Sequence, residues 1–133
     1  MRIPAIVITL AATVAAASAL AAPTPAERKI GVETRITFAS GGGIRNWQAG
    51  PPESGILYMQ DRTLKWYKVT LSGPCIETRV GPMTVVYTTD STGTFDTFSR
   101  LTFPDYPGRV CGVKSIRTSL PPAGQPGAPK PAK

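Results

Sequence analysis

Histidine is absent from these 133 residues. That removes Ser-His-Asp and Cys-His nucleophilic systems, the usual zinc ligand sets and the commonest general base together. Cysteine occurs only as Cys75 and Cys111, so there is no Cys-x-x-Cys redox motif and no ligand cluster for a metal. Acidic residues number 8 against 15 Lys and Arg, and they are scattered singly, mostly beside turns. No pair can be proposed for two-carboxylate acid/base work. These absences weigh against an enzyme, although chemistry by a lone carboxylate, Lys or Tyr survives them. No cationic run exceeds Arg28-Lys29, which is too dilute for a nucleic-acid footprint. Gly41-Gly42-Gly43 is not followed by Gly-Lys-Ser/Thr and is a turn or bulge rather than a phosphate loop.

The N-terminus is the most informative stretch. Met1-Arg2 carries one positive charge and precedes an uncharged apolar segment, Ile3 to Ala22, rich in alanine. This is the form of a secretory signal peptide, here residues 1–21. Ala19-Leu20-Ala21 supplies the small-x-small pattern for cleavage between Ala21 and Ala22. A cut one residue later would put Pro23 after the scissile bond. No cysteine follows for lipid attachment, and processing leaves no stable membrane span. The expected location is periplasmic or secreted.

Loss of Arg2 leaves 14 cations against 8 acids, a mature charge of about +6. Residues 22–29 read as a linker and 30–119 as one domain. Residues 120–133, almost wholly Pro, Gly, Ala and Lys, read as a disordered, PPII-biased tail with no side chain large enough to offset the entropy of ordering. Within the domain, Ile30, Val32, Thr34, Ile36 and Phe38 alternate as in a half-buried strand, and Gly41 to Gly43 end it. Ile44 to Gln48 is a short segment closed by Gly50-Pro51-Pro52. Ile56 to Gln60 and Leu64 to Ser72 read as a hairpin joined near Asp61-Arg62. Ile76 to Val80, Met83 to Thr89, Thr94 to Phe103 and Arg109 to Thr118 complete the set, with turns at Gly81-Pro82, Asp90 to Gly93 and Pro104 to Gly108. No capped apolar stretch at helical spacing lies outside the leader. The expected class is all-β, a small antiparallel sandwich or barrel of about seven strands.

In an oxidising compartment Cys75 and Cys111 are expected to pair as a structural staple. Among the aromatics, Trp66 reads as core, with Tyr67 pointing to the opposite face. Trp47 sits beside a loop. With Arg45, and with Arg62 and Lys65 nearby in sequence, it could form an aromatic, cationic face for a glycan or an anionic lipid. Asp96 interrupts an aromatic strand, Phe95-Asp96-Thr97-Phe98-Ser99, and is the acid to inspect first. Arg45, Trp47 and Asp96 are therefore the surface-binding candidates. No catalytic residue, cofactor or metal is expected.

The spacing Ile44-Arg45-Asn46-Trp47, Trp66-Tyr67 through Leu71 to Gly73-Pro74-Cys75, Phe95-Asp96-x-Phe98-Ser99 and a final Cys111 before Val113 resembles a family of small exported bacterial proteins described only as a domain of unknown function. The likeness covers roughly residues 36–116. It implies a signal peptide, an envelope setting and paired cysteines, and it offers no catalytic residues. The function expected is a non-enzymatic binding or structural module that meets an envelope partner or an anionic surface. The rivals are an envelope hydrolase or isomerase using a lone carboxylate, and a small inhibitor or accessory subunit.

Overall fold

The computed structural model describes residues 28–73, 75–76 and 83–131. The leader with its cleavage site at Ala21 and Ala22, the linker up to residue 27, and the expected strand and turn over 77–82 lie outside the described residues. Six strands are present: β1 Ile44–Ala49, β2 Ile56–Asp61, β3 Trp66–Ser72, β4 Val86–Tyr87, β5 Arg100–Thr102 and β6 Val110–Ser119. They form one sheet in the order β1-β2-β3-β6-β5-β4, and every neighbouring pair is antiparallel. The sheet curls into a half-barrel, which refines the expected sandwich or barrel of about seven strands, and no helix occurs among the described residues.

Two bulges shape the curl. The register of β1 against β2 slips between Ile44 and Asn46, leaving Arg45 as the extra residue, so Ile44 and Trp47 share the inner face at a spacing of three. The register of β3 against β6 slips between Thr70 and Leu71, which makes Lys114 the extra residue and puts Val113 and Ile116 on one face. An extra residue bends its strand and increases local twist, which a sheet this narrow needs in order to wrap a core. Leu57, Met59, Val69, Leu101, Cys111 and Ile116 are fully buried on that inner face, with Phe95 and Phe103 packed in from loops. Tyr67 belongs to this core, whereas Trp66, also buried, faces the other way and stands outside it.

The first expected strand is replaced by an irregular crossing. Residues 31–34 bond to the free side of β6 through Gly31 N to Thr118 O and Thr34 N to Ile116 O, and then Ile36 bridges to Phe95. Gly31 at φ 79° breaks the alternation at its start. Only Ile36 of the five alternating residues is buried, while Ile30, Val32 and Phe38 are exposed. The expected strand over 94–103 is likewise reduced to β5, because Asp96 Oδ1 accepts the Phe98 N–H and turns the chain.

The disulfide between Cys75 and Cys111 is formed, with Cα atoms 5.9 Å apart, and it ties the exit of β3 to the start of β6. A closed disulfide in a domain of this size fits an oxidising, extracytoplasmic environment. Trp47 Nε1–H donates to Met83 O at 2.7 Å, joining β1 to the approach to β4 across the open side of the half-barrel. The free edge of β1 is blunted by its bulge, by Asn46 Oδ1 accepting the Trp47 N–H, and by the Pro51-Pro52 that follows. Beyond β6 the chain makes two turns, Gln125 N to Pro122 O and Ala128 N to Gln125 O. There Gln48 donates to Ala123 O and accepts from Gln125 Nε2.

Candidate functional site

Each surface candidate from the sequence has its own surroundings. Arg45 is exposed at the β1 bulge. Trp47 is partly buried against the core, and its indole N–H is spent on Met83 O. Asp96 uses Oδ1 to hold the Phe98 N–H at 2.9 Å, and its own N–H donates to Ser99 Oγ. Among the described residues no hydrogen bond joins the three.

All four aspartates of the chain serve the same purpose, which is to accept backbone N–H groups. Asp61 Oδ1 takes Thr63 N, Thr63 Oγ1 and Lys65 N at 2.8, 2.7 and 3.0 Å. Asp90 Oδ1 takes Thr92 N, Thr92 Oγ1 and Thr94 N at 2.8, 2.7 and 2.9 Å. Asp105 Oδ2 takes Thr84 N, and Asp96 takes Phe98 N as described. Hydrogen bonds from Thr92 and Thr94, helped by the Arg35 charge, hold Asp90 below the usual carboxylate range. Burial alone would raise Asp61, but the bonds from Thr63, Lys65 and Tyr67 outweigh it and leave its pKa lowered. Asp61, Asp90 and Asp96 are staples of turns, and Asp105 ties its loop to Thr84. Among the described residues no group of three His, Cys, Asp or Glu could hold a metal ion.

A buried polar network lies where β2 turns into β3. Tyr67 Oη–H donates to Asp61 Oδ2 at 3.0 Å, and the Arg28 guanidinium lies 4.6 Å from the centre of the Tyr67 ring. Arg28 also donates to Trp66 O at 2.9 Å. Burial, then the bond to Asp61 and its charge, push the Tyr67 phenol up to about 12, with Arg28 opposing. A phenol that holds its proton this tightly is a poor general acid, so the network locks the hairpin tip.

The Asp61 and Asp90 loops are copies of one device. In each, the aspartate N–H donates to the carbonyl four residues on, and the residue three along donates back to the aspartate carbonyl: Leu64 N to Asp61 O and Gly93 N to Asp90 O, both at 3.0 Å. That is a type I turn closed by a residue in the left-handed region, for which glycine is the natural choice. Gly93 fills the position in one loop at φ 79°, and a Cβ there would overlap Ser40 Oγ. In the other loop the position holds Leu64, at φ 66° and 70% exposed.

Both loops meet segment 38–43. Ala39 N and Ser40 N donate to Gly93 O, Arg62 N donates to Gly43 O, and Tyr87 Oη–H donates to Ala39 O. Gly43 is required because the Phe38 carbonyl occupies the place a Cβ would take. Phe38 itself has φ 56°, is 64% exposed, and stacks under Arg62, whose guanidinium carbon is 5.2 Å from the ring centre. One end of the half-barrel thus presents Leu64 on a loop fixed by the Asp61 carboxylate and Phe38 on a segment held by backbone bonds, with Arg62 and Lys65 exposed beside them.

Sequence reading missed Phe38 and Leu64, which were expected inside strands. The available signal was the repeated Asp-x-Thr-x-(Lys/Thr) pattern at Asp61 and Asp90, in which leucine replaces glycine. At the opposite end a shallow open pocket of about 210 Å³ is lined by Phe103, Tyr106, Pro107, Arg109 and Val110, and it carries no acid or nucleophile pair. Comparison of the chain with protein-family models, with curated proteins and with solved structures finds no match.

Proposed function

We propose that this chain is exported through a cleaved signal peptide and acts as a non-enzymatic binding module of a bacterial envelope, using the loop end around Phe38, Arg62 and Leu64 as its contact surface. The observation that carries this reading is the cost of that surface. A bulky side chain in the left-handed region is disfavoured by about 1 to 3 kcal/mol. Phe38 and Leu64 both bear such a cost while exposed, so core packing does not repay it, and strain kept in an exposed position points to use. The companion loop with Gly93 indicates that the turn itself does not need leucine.

Asp61 and Asp90 support the same reading from the other side, because each holds three donors of its own loop and its lowered pKa makes it a weaker base. The test replaces Leu64 and Phe38 by asparagine, which tolerates the left-handed region. In the native host, the wild-type mature protein is expected to co-sediment with envelope material, and the doubly substituted protein is expected to move to the soluble fraction while remaining folded. Equal partitioning of the two proteins, or a defined turnover by purified protein that Asp96→Asn abolishes, would overturn the proposal and favour the hydrolase alternative.

A further inference from the structure

We infer that the partner of the Phe38–Leu64 loop end is an anionic lipid bilayer surface, an assignment that rests on the binding-module reading and names its target. Three observations converge on it.

The first is the pairing of apolar and cationic groups. Phe38 and Leu64 are 64% and 70% exposed, and they are held near one another by Arg62, which follows Asp61 in the Leu64 hairpin and stacks on the Phe38 ring. Arg62 and Lys65 are exposed on the hairpin tip, and Arg45 is exposed at the bulge beside the Ile44–Asp61 pair. Apolar tips ringed by Lys and Arg match the interfacial layer of a bilayer, where hydrocarbon begins beneath anionic headgroups.

The second is how the opposing charges are placed. Asp61 is 8% exposed, and its two oxygens face inward to Thr63, Lys65 and Tyr67. Asp90 is spent on Thr92 and Thr94 and is offset by Arg35. Asp61 therefore turns away from the surface that carries Arg62, Lys65 and Arg45, while Asp90, though exposed, has Oδ1 engaged by its own loop and its charge offset by Arg35. Arg28 is stacked on Tyr67.

The third is rigidity. The loops are joined to one another by Arg62 N to Gly43 O and by Ala39 N and Ser40 N to Gly93 O. The apolar tips are consequently fixed before contact, and little ordering entropy is lost on binding. A protein partner would need a complementary apolar pocket rimmed by acids, whereas a fluid anionic surface needs only charge and depth.

The experiment is vesicle co-sedimentation of the mature chain at 0.1 M salt, with phosphatidylcholine vesicles and with vesicles containing one quarter phosphatidylglycerol. Wild-type protein is expected to bind only the anionic vesicles. Leu64→Asn and Phe38→Asn are each expected to weaken binding about tenfold, the scale of removing one partly inserted apolar side chain. Arg62→Gln is expected to weaken it about fivefold or more, the worth of one cation at an anionic surface. Leu64→Asn also relieves the left-handed backbone, so its thermal midpoint should rise by about 2 to 5 °C, which separates lost binding from lost folding. Substituting Lys130 and Lys133 of the tail by glutamine is expected to leave binding within about twofold.

Equal binding to both vesicle types, anionic binding that survives both asparagine substitutions, or binding that vanishes with the tail lysines would each overturn the lipid assignment. If no vesicle binds while envelope association in the host still depends on Phe38 and Leu64, the lipid assignment falls, the binding-module reading stands, and the partner is a protein.

Discussion

Removing a single hydroxyl, by Tyr67→Phe, tests the main polar network of the fold and has an effect whose size depends on pH. At pH 7 the substitution deletes the 3.0 Å bond from Tyr67 Oη–H to Asp61 Oδ2. A hydrogen bond to a charged group contributes about 1.5 to 3 kcal/mol, and Asp61 keeps three donors on its other oxygen, so the lower half of that range is expected. With an ordinary urea dependence for a small domain, the unfolding midpoint falls by about 1 M. The alkaline limb is the sharper part. The Tyr67 phenol titrates near 10 when unfolded and at about 12 when folded, so the folded state binds this proton more tightly. Its contribution is fully present below pH 10 and is lost as the pH rises toward 12. Two pKa units correspond to about 2.7 kcal/mol at most, and about half of that is expected for a side chain at the rim of the core. Tyr67→Phe lacks this titration. The stability difference between the two proteins should therefore shrink between pH 10 and pH 12 and be nearly constant from pH 6 to pH 9. Urea titrations of the disulfide-bonded proteins at these pH values measure it. A substituted protein as stable as wild type at pH 7, or a gap unchanged at pH 11.5, would refute the reasoning.

Three further outcomes follow from the same structure. Reducing Cys75–Cys111, or replacing both with serine, reopens a loop of sequence separation 36 and should cost about 4 kcal/mol on the chain-entropy model; equal urea midpoints with and without reductant would contradict this. Gly93→Ala places a Cβ against Ser40 Oγ at φ 79° and should destabilise by about 1 to 3 kcal/mol, with only part of the loss recovered by adding Ser40→Gly, because the backbone strain remains. Intact-mass measurement of protein from the native host should show a chain that begins at Ala22, with two hydrogens fewer than the reduced form; an intact Met1 with free thiols would remove the export premise.

The hairpin of β2 and β3 and the turn at Asp90 to Gly93 are legible in the sequence, because each depends on contacts within a few residues. Alternation and turn chemistry act at that range. The cysteine pair, 36 residues apart, is legible for another reason, that only two partners exist. The register bulges at Arg45 and Lys114 leave a trace, an apolar spacing of three in Ile44-Arg45-Asn46-Trp47 and Val113-Lys114-Ser115-Ile116, but the trace is ambiguous until the partner strand is known.

Tertiary structure alone decided the rest. Residues 30–38 have strand-like alternation, yet they lie beside a β6 already paired with β5 further along, so they make isolated bridges instead of a seventh strand. Asp96 reads as a lone acid in a strand and proves to be the pivot of a turn. The loop end that brings Phe38 against Arg62 joins residues 24 positions apart in sequence, through a crossing segment whose path is set by Gly93 and Gly43. Local sequence pattern specifies which backbone shapes are affordable. Which exposed side chains share a surface depends on long-range closure of the sheet, and no short-range preference encodes it.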